Sequence, residues 1–215
     1  MLNKIKKLFG KKQAQEMVSV SEKIENLFDT LNDEVVVLEI GEDIVEYATS
    51  IIETIGSLRE QIKSECGFIM PTVAVRENYC IQENEFKIIV QEKLIEQRFV
   101  IPTEEEITEE VYDAIKTAVY DNLDSIFTNE IAEKYINTVQ KNNCWLIWNL
   151  TSLLSVVDIK TILFDIIMMG KSINNINFIF EKIGEYVLSE GISQAIGKKY
   201  NPHTISQGIS KYLYK

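Results

Sequence analysis

Residues 35–71 read VVVLEIGEDIVEYATSIIETIGSLREQIKSECGFIMP, and this stretch decides the fold class. The first six residues, VVVLEI, form a short stretch that is mostly β-branched and has Glu39 as its only charged residue. This predicts a buried strand that Gly41 ends. The apolar residues after Gly41 recur at steps of three and four, which predicts a long amphipathic helix: Ile44, Ala48, Ile51, Ile52, Ile55, Leu58 and Ile62. Gly67 follows this helix where a left-handed residue is favoured, and Pro71 prevents its continuation.

The sequence after Pro71 predicts two more strands and then helices alone. Residues 72–76 and 86–90 are strand-like, and we expect them to pair with each other across the polar turn at 82–85. Beyond Pro102 the periodic segments have helical spacing. The fold class is therefore predicted as α+β, with a small α/β sheet subdomain followed by a helical subdomain, and mostly helical overall.

These patterns predict three parts of the chain. Residues 1–33 form a basic N-terminal tail and a helix, residues 34–102 the small α+β subdomain, and residues 103–215 the helical part. Thr103 with Glu106 resembles a capping box, Gly170 suits a C-cap and Ser172 an N-cap. The predicted apolar helix faces after residue 103 are Val111, Ile115, Ala118, Val119, Leu123 and Ile126; Ile131, Tyr135 and Val139; Ile159, Ile162, Leu163 and Ile166; and Ile176, Ile179, Phe180, Ile183 and Val187.

The first twelve residues, MLNKIKKLFGKK, carry five lysines and no acid, whereas the whole chain has a formal net charge of −11. Their apolar residues have helical spacing, so the segment is either a frayed basic tail or a short helix in weak contact with an anionic membrane surface. The acidic remainder argues against nucleic acid as a partner. The sequence contains neither a bilayer-spanning apolar run nor a signal peptide, so we expect a cytoplasmic protein.

The sequence offers no constellation typical of an enzyme, and we expect no catalytic, cofactor-binding or metal-binding residues. His203 is the only histidine and is expected on the surface, while Cys66, Cys80 and Cys144 lack a C-x-x-C pair. No glycine-rich phosphate loop occurs. The acidic run at 104–113 is explained by the first turn of a helix and a solvated face better than by a cation site.

Residues 144–148, CWLIW, form the densest aromatic cluster. Burial in the core is the commoner outcome for such a cluster. Contact with a partner or a second subunit is the alternative, because tryptophan is enriched at interface hot spots.

Two groups of motifs resemble the cytosolic domain of the FlhA/FHIPEP family, the large membrane component of flagellar and virulence type III export systems. The first group comprises LEIG (38–41), CGFIMP (66–71), VAVREN (73–78) and NEFKI (84–88). The second comprises the segment from Leu154 to Leu163 and GKSINNI (170–176). The resemblance extends over residues 34–188 with the motifs in the family's order.

The resemblance implies a non-catalytic protein-interaction domain, an accessory or divergent export component that binds export-apparatus proteins, chaperones or substrates or assembles with copies of itself. Two departures are expected: the family's membrane-spanning half is absent, and residues 92–103 replace a subdomain inserted after the strand at 86–90. Because family members dock chaperones beside that insertion, the alternative is a soluble regulator or decoy with a single protein partner. We select Arg76, Asn78, Trp145 and Trp148 as partner-binding residues.

Overall fold

The computed structural model describes residues 34–193 and 200–213. The basic segment 1–12 and the helix predicted over 17–32 lie outside the described residues. Four strands form one sheet: β1 (Val36–Ile40), β2 (Val73–Glu77), β3 (Glu85–Val90) and β4 (Lys93–Phe99). A 3-10 helix (Glu42–Tyr47) leads from β1 into helix α1 (Ala48–Cys66), which connects β1 to β2.

The sheet has the strand order β2-β1-β3-β4. β1 is parallel to β2 and antiparallel to β3, and β4 is antiparallel to β3. Val36, Leu38 and Ile40 of β1 face the main core, where α1 packs. Val37 and Glu39 point to the opposite face because side chains alternate along a strand.

The predicted pairing of residues 72–76 with 86–90 is wrong, because β1 lies between these two strands. Val37 is aligned with Ala74 of β2 on one side and with Ile89 of β3 on the other. The helix α1 is long enough to return the chain across the sheet, so β2 joins β1 as a parallel strand. Residues 78–84 therefore carry the chain across β1 instead of closing a hairpin.

The structure adds β4, which the sequence analysis does not predict. β3 and β4 form a hairpin across Gln91 and Glu92, which both have positive φ, 46° and 64°. Two such residues in succession are typical of the turn type that matches the twist of a hairpin. The usual signal for that turn is Asn-Gly or Asp-Gly, so Gln-Glu gave no indication of it.

Seven helices follow the sheet within the described residues, and they confirm the predicted mostly helical α+β fold. They are α2 (Glu104–Asp121), α3 (Leu123–Ile126), α4 (Asn129–Asn142), α5 (Cys144–Thr151), α6 (Val156–Met168), α7 (Ile176–Ser193) and α8 (Pro202–Ser210). The predicted apolar faces of these helices are confirmed as buried. They belong to one continuous core that also includes the sheet, and the division at residue 102 stays a prediction.

Of the four predicted helix caps, Gly67 and Gly170 are confirmed, whereas the two predicted N-caps differ from the structure. Gly170 is confirmed as a left-handed residue after α6, with φ of 68°. Thr103 precedes α2, but its side chain makes no capping hydrogen bond. Ser172 does not cap α7, because the side chain of Asn175 accepts the hydrogen bond from the Phe178 N–H at 3.3 Å. Helix α7 thus begins one turn later than the Ser172 prediction implies.

Candidate functional site

The CGFIMP and GKSINNI motifs meet where the end of α1 contacts the loop before α7. The Ile173 N–H donates to the Cys66 carbonyl at 2.8 Å, and the Asn174 side chain donates to the Ser64 carbonyl at 3.0 Å. Gly67 has φ of 76°, and a Cβ on it would lie 2.4 Å from the Asn174 backbone nitrogen. The glycine is therefore required both by its conformation and by the close approach of the second motif.

Tyr135 of α4 completes this motif junction. Its hydroxyl donates to the Gly67 carbonyl at 2.7 Å and accepts from the Ile69 N–H at 2.9 Å. Burial raises the pKa of Tyr135 above the ordinary tyrosine value, so the hydroxyl keeps its proton and its donor role. The junction joins α1, α4 and the loop before α7, which gives these motif residues a structural role.

The LEIG and NEFKI motifs are explained by a second close approach. The Gly41 N–H donates to the Glu85 carbonyl at 2.8 Å. A Cβ on Gly41 would lie 2.1 Å from the Gln82 carbonyl oxygen, so a side chain there would displace the segment that enters β3. The residues of these motifs therefore have a structural role, and they do not indicate which surface contacts a partner.

An open groove of about 860 Å³, which we call the sheet groove, lies between the outward side chains of the sheet and the start of α4. Val35, Val37 and Ile89 form its apolar floor. Charged side chains border it: Glu34, Glu39, Arg76, Glu92 and Glu130. Four of these five are acids, so an extended or helical ligand with apolar and basic side chains would suit this surface.

The structure brings the two predicted residues Arg76 and Asn78 to the same side of the sheet groove. Arg76 forms an ion pair with Glu34. Asn78 donates from its amide to the Glu39 carboxylate at 2.7 Å, and its backbone N–H donates to the Ile40 carbonyl at 2.9 Å. Arg76 lines the groove directly, whereas Asn78 positions Glu39. Their predicted contact with a partner stays a prediction.

The other two predicted residues form a separate surface on α5, which we call the tryptophan pair. Trp145 and Trp148 are 67% and 66% exposed, with ring centroids 5.4 Å apart. Ile147 and Leu150 are the buried residues of α5 and fix its inward face. The expectation that the cluster lies in the core is therefore wrong for both tryptophans, because the helix turns them away from its buried residues.

The side chains that the structure brings together do not form a catalytic triad. Asp165 accepts from the Ser206 hydroxyl at 2.7 Å and contacts His203 Nδ1 at 2.8 Å. The same hydroxyl contacts the His203 backbone carbonyl at 2.9 Å, so the serine reaches the carboxylate directly and not through the imidazole. Burial raises the pKa of the Cys66 thiol, which disfavours the nucleophilic thiolate. His203 is exposed, as predicted, but lies in the first turn of α8.

The acidic run at the start of α2 engages neighbouring side chains. Arg98 of β4 contacts Glu110 and Glu96 at 2.5 Å, and the Ser50 hydroxyl donates to Glu104 at 2.5 Å. Within residues 34–193 and 200–213, no group of three or more potential ligands is arranged to hold a metal ion. None of the described helices is both long and apolar enough to cross a membrane.

The fold defines a mostly helical α+β domain that leaves a groove on its sheet and two tryptophans exposed on α5. The sequence matches the FHIPEP family over residues 3–110, so the chain belongs to this family. No curated protein sequence matches it.

Solved structures of type III secretion proteins share the fold. CdsV of Chlamydia pneumoniae superposes with a TM-score of 0.67 at 11% identity over 81% of this chain and 66% of its own. MxiA of Shigella flexneri superposes with a TM-score of 0.58 at 13% identity, over 82% of this chain and 64% of MxiA. The nonameric EscV cytosolic domain superposes with a TM-score of 0.65 at 13% identity, over 83% of this chain and 63% of the EscV chain. This chain thus spans less than two thirds of the length of each of these structures.

The sequence predicts Arg76, Asn78 and the two tryptophans as contact residues, but it does not indicate the other residues of the sheet groove. Glu34 precedes β1, Glu92 lies in the β3–β4 turn and Glu130 is in α4, so only the folded chain brings them together. No local motif could indicate this grouping. Tyr135 had a signal, since it lay on a predicted buried face, but its two hydrogen bonds required the folded chain.

Proposed function

We propose that the chain is a non-catalytic protein-interaction domain that serves as an accessory or divergent component of a type III export apparatus. The observation that carries this proposal is the tryptophan pair. Trp145 and Trp148 leave two-thirds of their surface exposed, side by side, on a short helix whose other face is buried. Exposed apolar patches mark interaction sites, and tryptophan is enriched among the residues that dominate interface energies.

The proposed partners are proteins: export-apparatus components, chaperones or substrates, and copies of the chain itself. Membership of the FHIPEP family supports the first group. The nonameric EPEC SctV-C and EscV structures, and the complex of Chlamydia pneumoniae CdsV with CdsO, support assembly and partner binding as properties of proteins with this fold. Self-association of this chain would appear as concentration-dependent sedimentation.

The proposed location is the cytoplasm, with weak contact of residues 1–12 to the inner face of the membrane. Five lysines without an acid support the contact, since each lysine near an anionic lipid surface contributes about 1 kcal/mol. Deletion of residues 1–12 should lower the amount of protein recovered with membranes. Unchanged recovery would remove membrane contact from the proposal.

The test is a crosslinked pull-down of the tagged chain from its native cells, with partners identified by mass spectrometry. The unaltered chain should recover export-apparatus proteins, and Trp145→Ala/Trp148→Ala should recover at least about tenfold less, since interface tryptophans cost 2 kcal/mol or more on truncation. A matched control is Tyr79→Ala/Phe99→Ala, which removes two other exposed aromatic side chains. Equal losses in both variants would contradict a specific role for the tryptophan pair.

A soluble regulator or decoy with one protein partner is the second candidate. The two-residue turn at Gln91 and Glu92 favours it, because the resemblance places an inserted, chaperone-docking subdomain after β3. Reproducible recovery of one protein unrelated to export, without apparatus components, would support the regulator and exclude the export role.

A further inference from the structure

We infer that the sheet groove binds the lysine-rich residues 1–12 of the same chain, so that the chain's own N-terminal segment covers this face of the sheet. The inference goes beyond the proposed function and does not depend on it, since it concerns a different surface. Four observations support it: the apolar floor, the excess of acids around it, the charge of the segment, and the point where the chain leaves the groove.

The floor of the sheet groove is the apolar outward face of the sheet. Val37 is only 6% exposed, yet it lies outside the main core, whereas its neighbours Val36 and Leu38 belong to that core. Ala74 and Ile89 flank Val37 on the adjacent strands and point to the same side. The face is therefore apolar at its centre, and Val35 and Ile89, the half-buried side chains around Val37, are the part that apolar side chains of a ligand can reach.

The border of the groove has an excess of negative charge. Arg76 is already paired with Glu34. No described lysine or arginine forms an ion pair with Glu39, Glu92 or Glu130. Lys87 stands opposite Glu39 in the sheet register, but its ammonium group lies 3.3 Å from Glu85. Glu92, Glu130 and the Glu39 oxygen that does not accept from Asn78 can thus pair with the cations of a ligand.

Residues 1–12 complement this surface in both charge and apolarity. They contain five lysines and no acid, and their apolar residues, Leu2, Ile5, Leu8 and Phe9, have helical spacing. The other apolar stretch before the sheet, residues 17–32, contains Glu22, Glu25 and Asp29 with Lys23 as its only base. Like charges would repel it from the groove, so charge selects residues 1–12 as the occupant.

The chain leaves the sheet at the groove itself. Glu34, the first described residue, lines the groove, and the 21 residues from 13 to 33 separate it from the lysine-rich segment. Such a connection spans at most about 70 Å when fully extended, which exceeds any distance across the groove. A short tether gives an effective concentration in the millimolar range, so a dissociation constant of about 1 mM suffices for half occupancy.

Occupation of the sheet groove would have a consequence for the membrane contact of the same lysines. Lysines paired with Glu39, Glu92 and Glu130 cannot face lipid phosphates at the same time. The groove and an anionic bilayer therefore compete for residues 1–12, and the groove holds them while no such surface is near.

The test is zero-length carbodiimide crosslinking of the full chain, because this reagent joins a lysine amine to a carboxylate only when the two are in contact. Mass spectrometry should find lysines of residues 1–12 joined to Glu39, Glu92 or Glu130, and not to Glu53 or Glu109, which are exposed on α1 and α2. An equal mixture of isotope-labelled and unlabelled chains should give crosslinks within single chains. Mixed pairs would assign the groove to a second copy and overturn the inference.

A substitution and a salt titration provide the control. Glu92→Gln/Glu130→Gln should lower the yield of the crosslink to Glu39 about fivefold. The decrease is limited because each exposed ion pair contributes only a small part of the binding free energy. The matched variant Glu53→Gln/Glu109→Gln should leave it unchanged. In about 1 M salt, where charges act over only about 3 Å, the unaltered chain should lose the same crosslink. Crosslinks spread evenly over groove and control carboxylates, or none at the groove, would overturn the inference.

Discussion

Tyr135 stabilises the fold through a single polar atom, its hydroxyl oxygen. Its hydroxyl satisfies both the Gly67 carbonyl and the Ile69 N–H. Replacement of Tyr135 by Phe keeps the ring and leaves these two backbone groups without a partner, so we expect a loss of about 1–3 kcal/mol at neutral pH. The measurement is urea unfolding, with Tyr212→Phe as an exposed tyrosine control that should change stability little.

The same tyrosine predicts a pH dependence. Burial raises the pKa of Tyr135 above its ordinary value of 10, so the folded chain keeps a proton that the unfolded chain releases above pH 10. The stability contributed by the neutral hydroxyl is complete below pH 10 and falls as the pH rises beyond it. At pH 11 the loss is about 1 kcal/mol, and Tyr135→Phe should not show it. The difference between the two proteins should therefore shrink in alkaline urea titrations; a constant difference would contradict the buried hydroxyl.

The two left-handed glycines provide a matched pair of substitutions. Gly170 has φ of 68° with open space around it, whereas a Cβ on Gly67 would meet Asn174. Gly170→Ala should cost about 1–2 kcal/mol for the left-handed conformation alone. Gly67→Ala should cost about 1–3 kcal/mol more, because the second motif must move. Equal losses of stability for the two variants in thermal unfolding would mean that the Asn174 backbone can move away from residue 67 without cost.

At the scale of elements, the β3–β4 turn combines two residues that both carry a side chain at positive φ. Glu92 has φ of 64°, which costs a residue with a Cβ about 1–2 kcal/mol. Glu92→Gly removes this cost but loosens the unfolded chain, so we expect a net gain of about 0.5–1 kcal/mol in the free energy of unfolding. Glu92→Ala is the control, since alanine keeps the Cβ; an equal gain in both variants would point to charge and not to the backbone.

The elements also show what a sequence can predict. The helices were predictable because their spacing depends on neighbours three and four residues away, as in α2 and α6. The pairing of β2 was not, because residues 73–77 look the same whether their neighbour is β1 or β3. Strand β4 was missed because its charged residues, such as Glu96 and Arg98, contact α2 and each other in the fold. Local patterns determine the elements, and distant contacts determine their partners.

The candidate surfaces follow the same division. Trp145 and Trp148 were found from composition, but only the packing of Ile147 and Leu150 shows that they face outward. The sheet groove depends on β1 being central, so its acids could not be grouped from their sequence positions. At the scale of the whole molecule, one continuous core joins sheet and helices and presents these two surfaces on different elements.

The exposure of both tryptophans predicts how self-association of the chain would change its tryptophan fluorescence. Trp145 and Trp148 are the only tryptophans of the chain, and both are exposed. The folded monomer should therefore emit at a wavelength close to that of the unfolded chain. If copies associate through α5, sedimentation and emission should change together, with emission shifting to shorter wavelength as water leaves the indoles. A dilution series followed by both methods checks this. Association without a shift would place the contact between copies on another surface, and the α5 pair would then remain free for a different protein.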